Sequence, residues 1–359
     1  MTIVTRRGLI KSAGAAALAA PFINRTAFAA DALKVGFIFL GPVGDYGWTW
    51  AHDKGRKEMV AALGGKVTAD YVENVNEDQS AIPVIRDLAK SGHKLIFTTS
   101  FGYMDQTMAV AKEFPDVKFE HCTGFKRADN VATYNNRFHQ GRAALGAISA
   151  MMSKTGTIGY LGSFKVPEVV MGVNAYAMAA QAVNPNIKIK LVMIDSWFDP
   201  AKESAAAETL ANLGCDVITT HTDSPAALQV CEKKKIYGFG QGADMSRFAP
   251  HAHQTAILDL WGKYYTSRAK AVLEGSWKSE DTWWGVKDGA VALGPYNKNL
   301  PENVKAASDK IMKGWDDGSY DVFTGPMVDQ SGKERLASGV RMEDKDLAVI
   351  DWYVKGVEG

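Results

Sequence analysis

Short apolar runs alternate with amphipathic stretches along most of this chain. Leu33–Leu40 is mostly apolar and stops at Gly41-Pro42, the pattern of a buried strand whose end opens into a loop. Residues 48–63 carry helical spacing and end at Gly64-Gly65. Residues 67–72 read as a second strand. Residues 79–91 read as a second helix, with Pro83 in its first turn, where a missing N–H costs little. A third strand (94–99), a loop (Ser100–Tyr103), a third helix (105–114) and a fourth strand (117–120) follow. The rhythm restarts at Gly156. Strands at 157–161, 187–194, 216–220 and 236–239 are separated by helices at 167–183, 201–213 and 224–233. Another strand (254–258) and helix (261–274) come next, then short strands and one helix near 301–313. Strand and helix alternating at this spacing predict parallel sheets covered on both faces.

Two such halves predict a two-lobed α/β clamp. The expected first lobe takes residues 31–138 and 254–290, and the second takes 139–253 and 291–359. The chain is expected to cross between lobes near 135–142, 251–255 and 285–293.

The first thirty residues differ from the rest. Arg6-Arg7-Gly8-Leu9-Ile10-Lys11, a mild apolar stretch from Ala13 to Ala20 and the small residues of Ala27-Phe28-Ala29-Ala30 read as a twin-arginine export signal. The segment holds four basic residues and no acidic one, so its removal moves the formal charge from +1 to −3. That balance does not suggest a nucleic-acid binder. No run of 18 apolar residues spans a membrane. No cysteine stands just past the cut, so a lipid anchor is not expected, and the expected location is the periplasm. Cys122, Cys215 and Cys231 make no disulfide framework; a Cys215–Cys231 bridge and three buried thiols both remain open. His251-Ala252-His253 suits a turn beside Pro250 better than a metal site, and no metal or cofactor is expected.

In open parallel sheets, ligands sit at the carboxyl ends of the strands. The residues just past each predicted strand are therefore the candidates: Tyr46 and Trp48, Phe101, Trp197, Asp223, Gln241 and Asp244, Asp259 and Trp261. They repeat one theme, an aromatic ring beside a carboxylate or amide. Facing rings sandwich a flat ligand, each worth about 1–3 kcal/mol, and polar groups read its edge. Asp45 and Asp199 also suit helix capping. Gly238-Phe239-Gly240-Gln241-Gly242 suggests close backbone approach to a ligand. No GxSxG, Walker loop or GxGxxG appears, so enzyme chemistry finds little support.

Several segments resemble the basic membrane protein family of ABC-importer substrate-binding proteins, some of which bind purine nucleosides. They are Gly41–Thr49 (GPVGDYGWT), Lys94–Tyr103 (KLIFTTSFGY), Phe114–Phe119 (FPDVKF), Trp197–Lys202 (WFDPAK) and Thr220–Ser224 (THTDS). The resemblance implies the type I periplasmic binding protein fold, with two hinged α/β lobes closing on a ligand. It implies an aromatic pair around a base, Trp48 and Trp197 here, and an acidic group near Gln241–Asp244. Where nucleoside binders place a ribose-reaching lysine, this chain has Asp259. The expected ligand is thus a free purine base, adenine first. The expected partner is an inner-membrane ABC permease, and the expected state a monomer. A nucleoside, sugar or other heterocycle receptor, an exported purine-acting enzyme and a sensory ligand-binding domain are the alternatives.

Overall fold

The structure, a computed structural model, describes residues 32–359. The segment read as an export signal lies outside the described residues. The chain runs β1 (Leu33–Ile38), α1 (Gly47–Leu63), β2 (Val67–Val72), α2 (Ala81–Lys90), β3 (Leu95–Thr98), α3 (Met104–Glu113), β4 (Lys118–Cys122), β5 (Val131–Asn136) and α4 (Phe138–Met152). It continues with β6 (Thr157–Gly162), α5 (Pro167–Val183), β7 (Lys188–Met193), α6 (Pro200–Asn212), β8 (Val217–Thr220), α7 (Ala226–Lys234), β9 (Tyr237–Gly240) and β10 (His253–Asp259). Then come α8 (Gly262–Leu273), β11 (Asp281–Trp284), β12 (Val291–Leu293) and α9 (Glu302–Asp317), followed by a short two-stranded ribbon (Met327–Val328 with Glu334–Leu336), a one-turn helix (Asp344–Leu347) and a terminal strand (Val357–Glu358). Among the described residues, no helix is long and apolar enough to cross a membrane.

These elements build two sheets. The first has the order β2-β1-β3-β4-β5-β11 and is parallel throughout. The second has the order β7-β6-β8-β9-β10-β12, with Val357–Glu358 outside β7. It is parallel except where β12 runs against β10. Each sheet reverses its winding direction beside its first strand, between β1 and β3 and between β6 and β8. The loops leaving those strands part there and leave a crevice.

The structure corrects one assignment. Residues 254–258, expected in the first lobe, belong to the second sheet: His253 pairs with Gly238, Ala256 with Gly240, and Ile257 with Leu293. The second crossing therefore follows Asp259 rather than falling at 251–255. An apolar strand buried on both faces carries no mark of which sheet it joins. The chain then enters α8, which packs on α1. A Cβ at Gly55 would come within 2.7 Å of the Trp261 Cβ. Strand β11 closes the first sheet beside β5 before the chain returns.

Two elements carry little periodic signal. Strand β5 (VATYNN) is buried at every position despite its two asparagines. Helix α4 is buried at every residue from Phe138 through Ala150, so it has no polar face for a pattern to reveal. It starts at the end of the first sheet and packs into the second lobe against α5. All three cysteines are buried and unpaired; Cys215 and Cys231 sit in one apolar cluster under α6 and α7.

The first lobe is tied together by a buried carboxylate. Glu120 on β4 accepts from the Tyr264 hydroxyl (2.6 Å), Arg268 Nε (2.5 Å) and Trp277 Nε1 (2.6 Å). Burial pushes its pKa up and these partners pull it down. With the donors in place, the ion pair fastens α8 to the sheet. Beside it, Phe37 stacks on Phe97 at 4.7 Å.

Gly146 sets the approach of α4 to α5, since a Cβ there would overlap the carbonyl oxygen of Tyr176. Gly146→Ala is expected to lower stability by about 1–3 kcal/mol in urea denaturation. Gly65→Ala, with nothing within 4 Å of the added methyl, should leave the midpoint unchanged.

Candidate ligand-binding cleft

The crevice at the two winding reversals holds a narrow chamber between the lobes. Leu40, Trp48, Ser100, Phe101 and Thr123 line it from the first lobe. Glu168, Trp197, His221, Asp223 and Gln241 line it from the second. An outer groove shares Leu40, Trp48, Trp197 and Asp223 with the chamber and adds Asn74, Asn76, Glu77 and Phe164.

Both indoles present themselves to this space. Trp48 stands in the first turn of α1, and its Nε1–H donates to the Thr99 carbonyl at 2.6 Å, which fixes the ring. Trp261 supports it from behind, edge-on at 5.6 Å. Trp197 lies in the loop after β7, against Phe164 at 5.4 Å. Three non-glycine residues with left-handed backbone surround the same space: Asn74 (φ 57°), Thr123 (φ 62°) and Asp195 (φ 50°). Such conformations cost of order 1–3 kcal/mol and gather at ligand clamps.

The polar wall is unusual in its charges. Glu168, Asp223 and Asp259 bring three carboxyl groups to one region. Burial pushes Glu168 up to about 8, with Asp259 adding repulsion. Burial likewise pushes Asp259 up to about 7. Asp223 is also raised, by burial and then by Glu203, Asp259 and Glu168; the Trp48 backbone N–H works against this. Asp259 is only 3% exposed, and neither of its oxygens has a hydrogen-bond partner. The nearest buried cation is Arg142 on α4. Its guanidinium donates to Thr220 O (2.8 Å), to Thr219 Oγ1 (3.2 Å) and to Gln241 Oε1, and it makes no ion pair. His221 Nδ1 contacts the Tyr160 hydroxyl at 2.9 Å, and its Nε2 lies 3.5 Å from Glu168 Oε1. Burial, reinforced by Arg142, keeps this imidazole neutral.

The lobes are closed on the chamber. The loop after β1 reaches the second lobe: Tyr46 packs edge-on against Phe248 at 5.0 Å, and Asp45 pairs with Arg247. Gly47 (φ 77°) and Gly242 (φ 71°) face each other there. A Cβ on Gly47 would lie 2.7 Å from the Asp223 carbonyl oxygen, and one on Gly242 3.1 Å from the Gly47 carbonyl carbon. The glycine-rich run at 238–242 therefore gives close approach to the opposite lobe.

Of the nine residues singled out from the sequence, Trp48, Phe101, Trp197, Asp223 and Gln241 share the chamber wall. Tyr46 lines the outer groove, and Asp259 lies beside the chamber, close enough to raise Glu168 and Asp223. Two do not join them. Asp244 is exposed and accepts from the Ser246 backbone N–H at 2.9 Å. Trp261 is 1% exposed in the first-lobe core, stacked on His52 at 4.5 Å. Asp199 caps α6, accepting from the Ala201 and Lys202 N–H groups, whereas Asp45 forms the pair with Arg247. His251 pairs with Glu232, and His253 is buried at the start of β10. Among the described residues, no group of three or more His, Cys, Asp or Glu is placed to hold a metal ion.

Sequence reasoning missed Thr123, Glu168, His221 and Arg142. His221 stands between two residues already quoted. Glu168 follows the strand-end loop by one helical step, at the second position of α5. Arg142 had no local signal, because it lies in the helix without a polar face.

A family model described as ABC transporter substrate-binding protein, PnrA-like, matches residues 32–316. A purine-binding protein of Brucella abortus is 50% identical over 343 residues, covering 96% of this chain and 98% of that protein. An ABC transporter nucleoside-binding protein of Lactococcus lactis is 26% identical over 151 residues, 42% of this chain and 40% of that protein. Among solved structures, an ABC transporter solute-binding protein from Aeropyrum pernix superposes with a TM-score of 0.70 at 16% identity, covering 80% of this chain and 92% of that one.

The contacts of Tyr46 and Arg247 hold the lobes together across the outer edge of the cleft. In small-angle scattering of the protein saturated with adenine, the expected ligand, the Tyr46→Ala/Arg247→Ala variant is expected to show a larger radius of gyration than wild type. Equal radii would show that these contacts do not hold the closed form.

Proposed function

The chain belongs to the PnrA-like family of ABC transporter substrate-binding proteins, and we propose that it captures a purine base, adenine above all, between its lobes. One observation carries this reading. Indole rings from opposite lobes line one small chamber, and its remaining wall is rich in carboxyl groups without cationic partners. Aromatic faces favour a planar heterocycle, and stacking on each is worth about 1–3 kcal/mol. Carboxyl and amide groups at the ring edge accept its N–H donors. A ligand lacking those donors leaves the buried groups unpaired, which is a large penalty. The purine-binding name of the Brucella relative supports the same class.

The free base is favoured over the nucleoside because Asp259 stands where a ribose-reaching lysine is expected. A purine nucleoside is the second reading. The outer groove opens directly from the chamber, and Asn74, Asn76 and Glu77 offer a ribose hydrogen-bonding partners. The protein works in the periplasm after twin-arginine export. It acts as a monomer and hands its ligand to an inner-membrane permease. Lobe closure buries the ligand and forms the surface that the permease reads.

A scanning-fluorimetry panel of bases, nucleosides and sugars tests the class. Adenine should raise the melting temperature most; stabilisation by adenosine but not by adenine would overturn the free-base reading, and stabilisation by sugars alone would overturn the purine reading. Trp197→Ala is expected to weaken adenine binding at least tenfold, about 1.4 kcal/mol, with the fold intact by circular dichroism. Unchanged affinity would remove Trp197 from the site.

A further inference from the structure

We propose that Glu168 reads the purine edge as a neutral acid: its O–H donates to ring N1 of a 6-aminopurine while its other oxygen accepts from the exocyclic amine. Closing on this ligand would then take up one proton from solvent. The inference rests on the purine reading above and adds a role for a residue that reading does not need.

The geometry of the cleft supports it. Glu168 lines the chamber, its side chain is 12% exposed, and it has no lysine or arginine within ion-pair distance. On its outer side it shares a groove with Asp281, with Arg137, which is paired with Asp344, and with Lys345, which is paired with Glu343. The groups that face it inside the chamber come from five elements. Asp259 ends β10 and Asp223 lies past β8, and both are carboxyls that oppose a further negative charge. His221, past β8, is neutral, with Tyr160 of β6 against its far nitrogen. Cys122 ends β4 as a buried thiol, its pKa raised by burial and by Glu168. Arg142 of α4 is the only one of these groups that favours the carboxylate; its terminal nitrogens donate to Gln241, Thr219 and Thr220, and its Nε–H has no partner. Position in the first turn of α5 also favours the anion, but burial and Asp259 outweigh it and push the group up to about 8.

The chemistry follows from donors and acceptors. Adenine offers an acceptor at N1 beside a donor at its amine. A carboxylic acid matches both, whereas a carboxylate turns a lone pair toward N1. Guanine offers two donors, N1–H and its 2-amino group, which suit the carboxylate instead. Adenine binding is therefore coupled to a proton and guanine binding is not.

The sign of the pH effect follows from linkage. Glu168 has an ordinary pKa when solvated in the open cleft and a raised one when enclosed. Adenine affinity should fall as pH rises through the interval between them, by up to about tenfold per unit, and level off only above the pKa of the complex, which the bond to N1 carries beyond that of the empty cleft.

Isothermal titration of adenine at pH 7 in two buffers of different ionisation enthalpy counts the protons. Wild type should take up close to one per adenine and close to none per guanine. Glu168→Gln carries a fixed donor and acceptor, so proton uptake should vanish and the pH slope flatten. Adenine bound by wild type without uptake, or with uptake that persists in Glu168→Gln, would overturn the inference and leave the purine reading standing. Uptake lost only in Asp259→Asn would assign the proton to Asp259 and also overturn it. Failure of wild type to bind any purine would overturn the purine reading, and this inference with it.

Discussion

The cleft is organised around a buried guanidinium that has no carboxylate in contact. Arg142 is fully enclosed, lies over the Tyr160 ring at 5.5 Å and gives its hydrogen bonds to neutral oxygens. No carboxylate lies within ion-pair distance; Glu168 and Asp259 feel its charge only at a distance, where it favours their ionisation against the larger cost of burial. The same charge helps keep His221 neutral. A buried charge without a contact partner is expensive. Here that field tempers, without overcoming, the effect of burial on the carboxyls of the chamber wall. It also holds Gln241 in place, because the amide oxygen is fixed by the guanidinium and the rest of the amide is left at the chamber wall.

The scaffold brings these groups together by winding. Both sheets reverse beside their first strand, so loops from β1 and β3 meet loops from β6 and β8 across one crevice. The first loop can press into the second lobe only because Gly47 and Gly242 lack side chains. The close approach places the first turn of α1, whose Tyr46 cap contributes no side-chain hydrogen bond, beside Asp223 of the other lobe. A helix terminus in one lobe and a carboxyl in the other thus satisfy each other at the closed interface.

Much of this was legible in the chain. The alternation of apolar runs with amphipathic stretches marked both parallel sheets, and the strand-end rule found Trp48, Phe101, Trp197, Asp223 and Gln241. What escaped shares a physical cause. The interlobe helix α4 is buried all round, and β10 is apolar on both faces, so neither shows a contrast between inside and outside. Arg142 was hidden with the first, and the second crossing was misplaced with the other. Glu168 was missed because its side chain enters the site from a helix rather than from the loop before it. Trp261 and Asp244 stand at strand ends as the rule requires, but one turns into the core and the other satisfies a local turn. Position after a strand selects the neighbourhood of the ligand; the direction of the side chain is decided by packing.

The indole of Trp48 is tethered to a main-chain carbonyl and backed by Trp261, whereas Trp197, tilted against Phe164 and packed at the edge of the second-lobe core, has no side-chain hydrogen bond to fix it. The two plates therefore differ in readiness. The first is a finished landing pad that loses no rotamer freedom on contact, while the second must settle as it arrives. In the proposed mode of capture this sets an order of encounter: the guest alights on the first lobe, and the second comes down over it. Release in that scheme runs in reverse, so a transporter that pried away the second lobe alone would expose a ligand still seated on a rigid ledge.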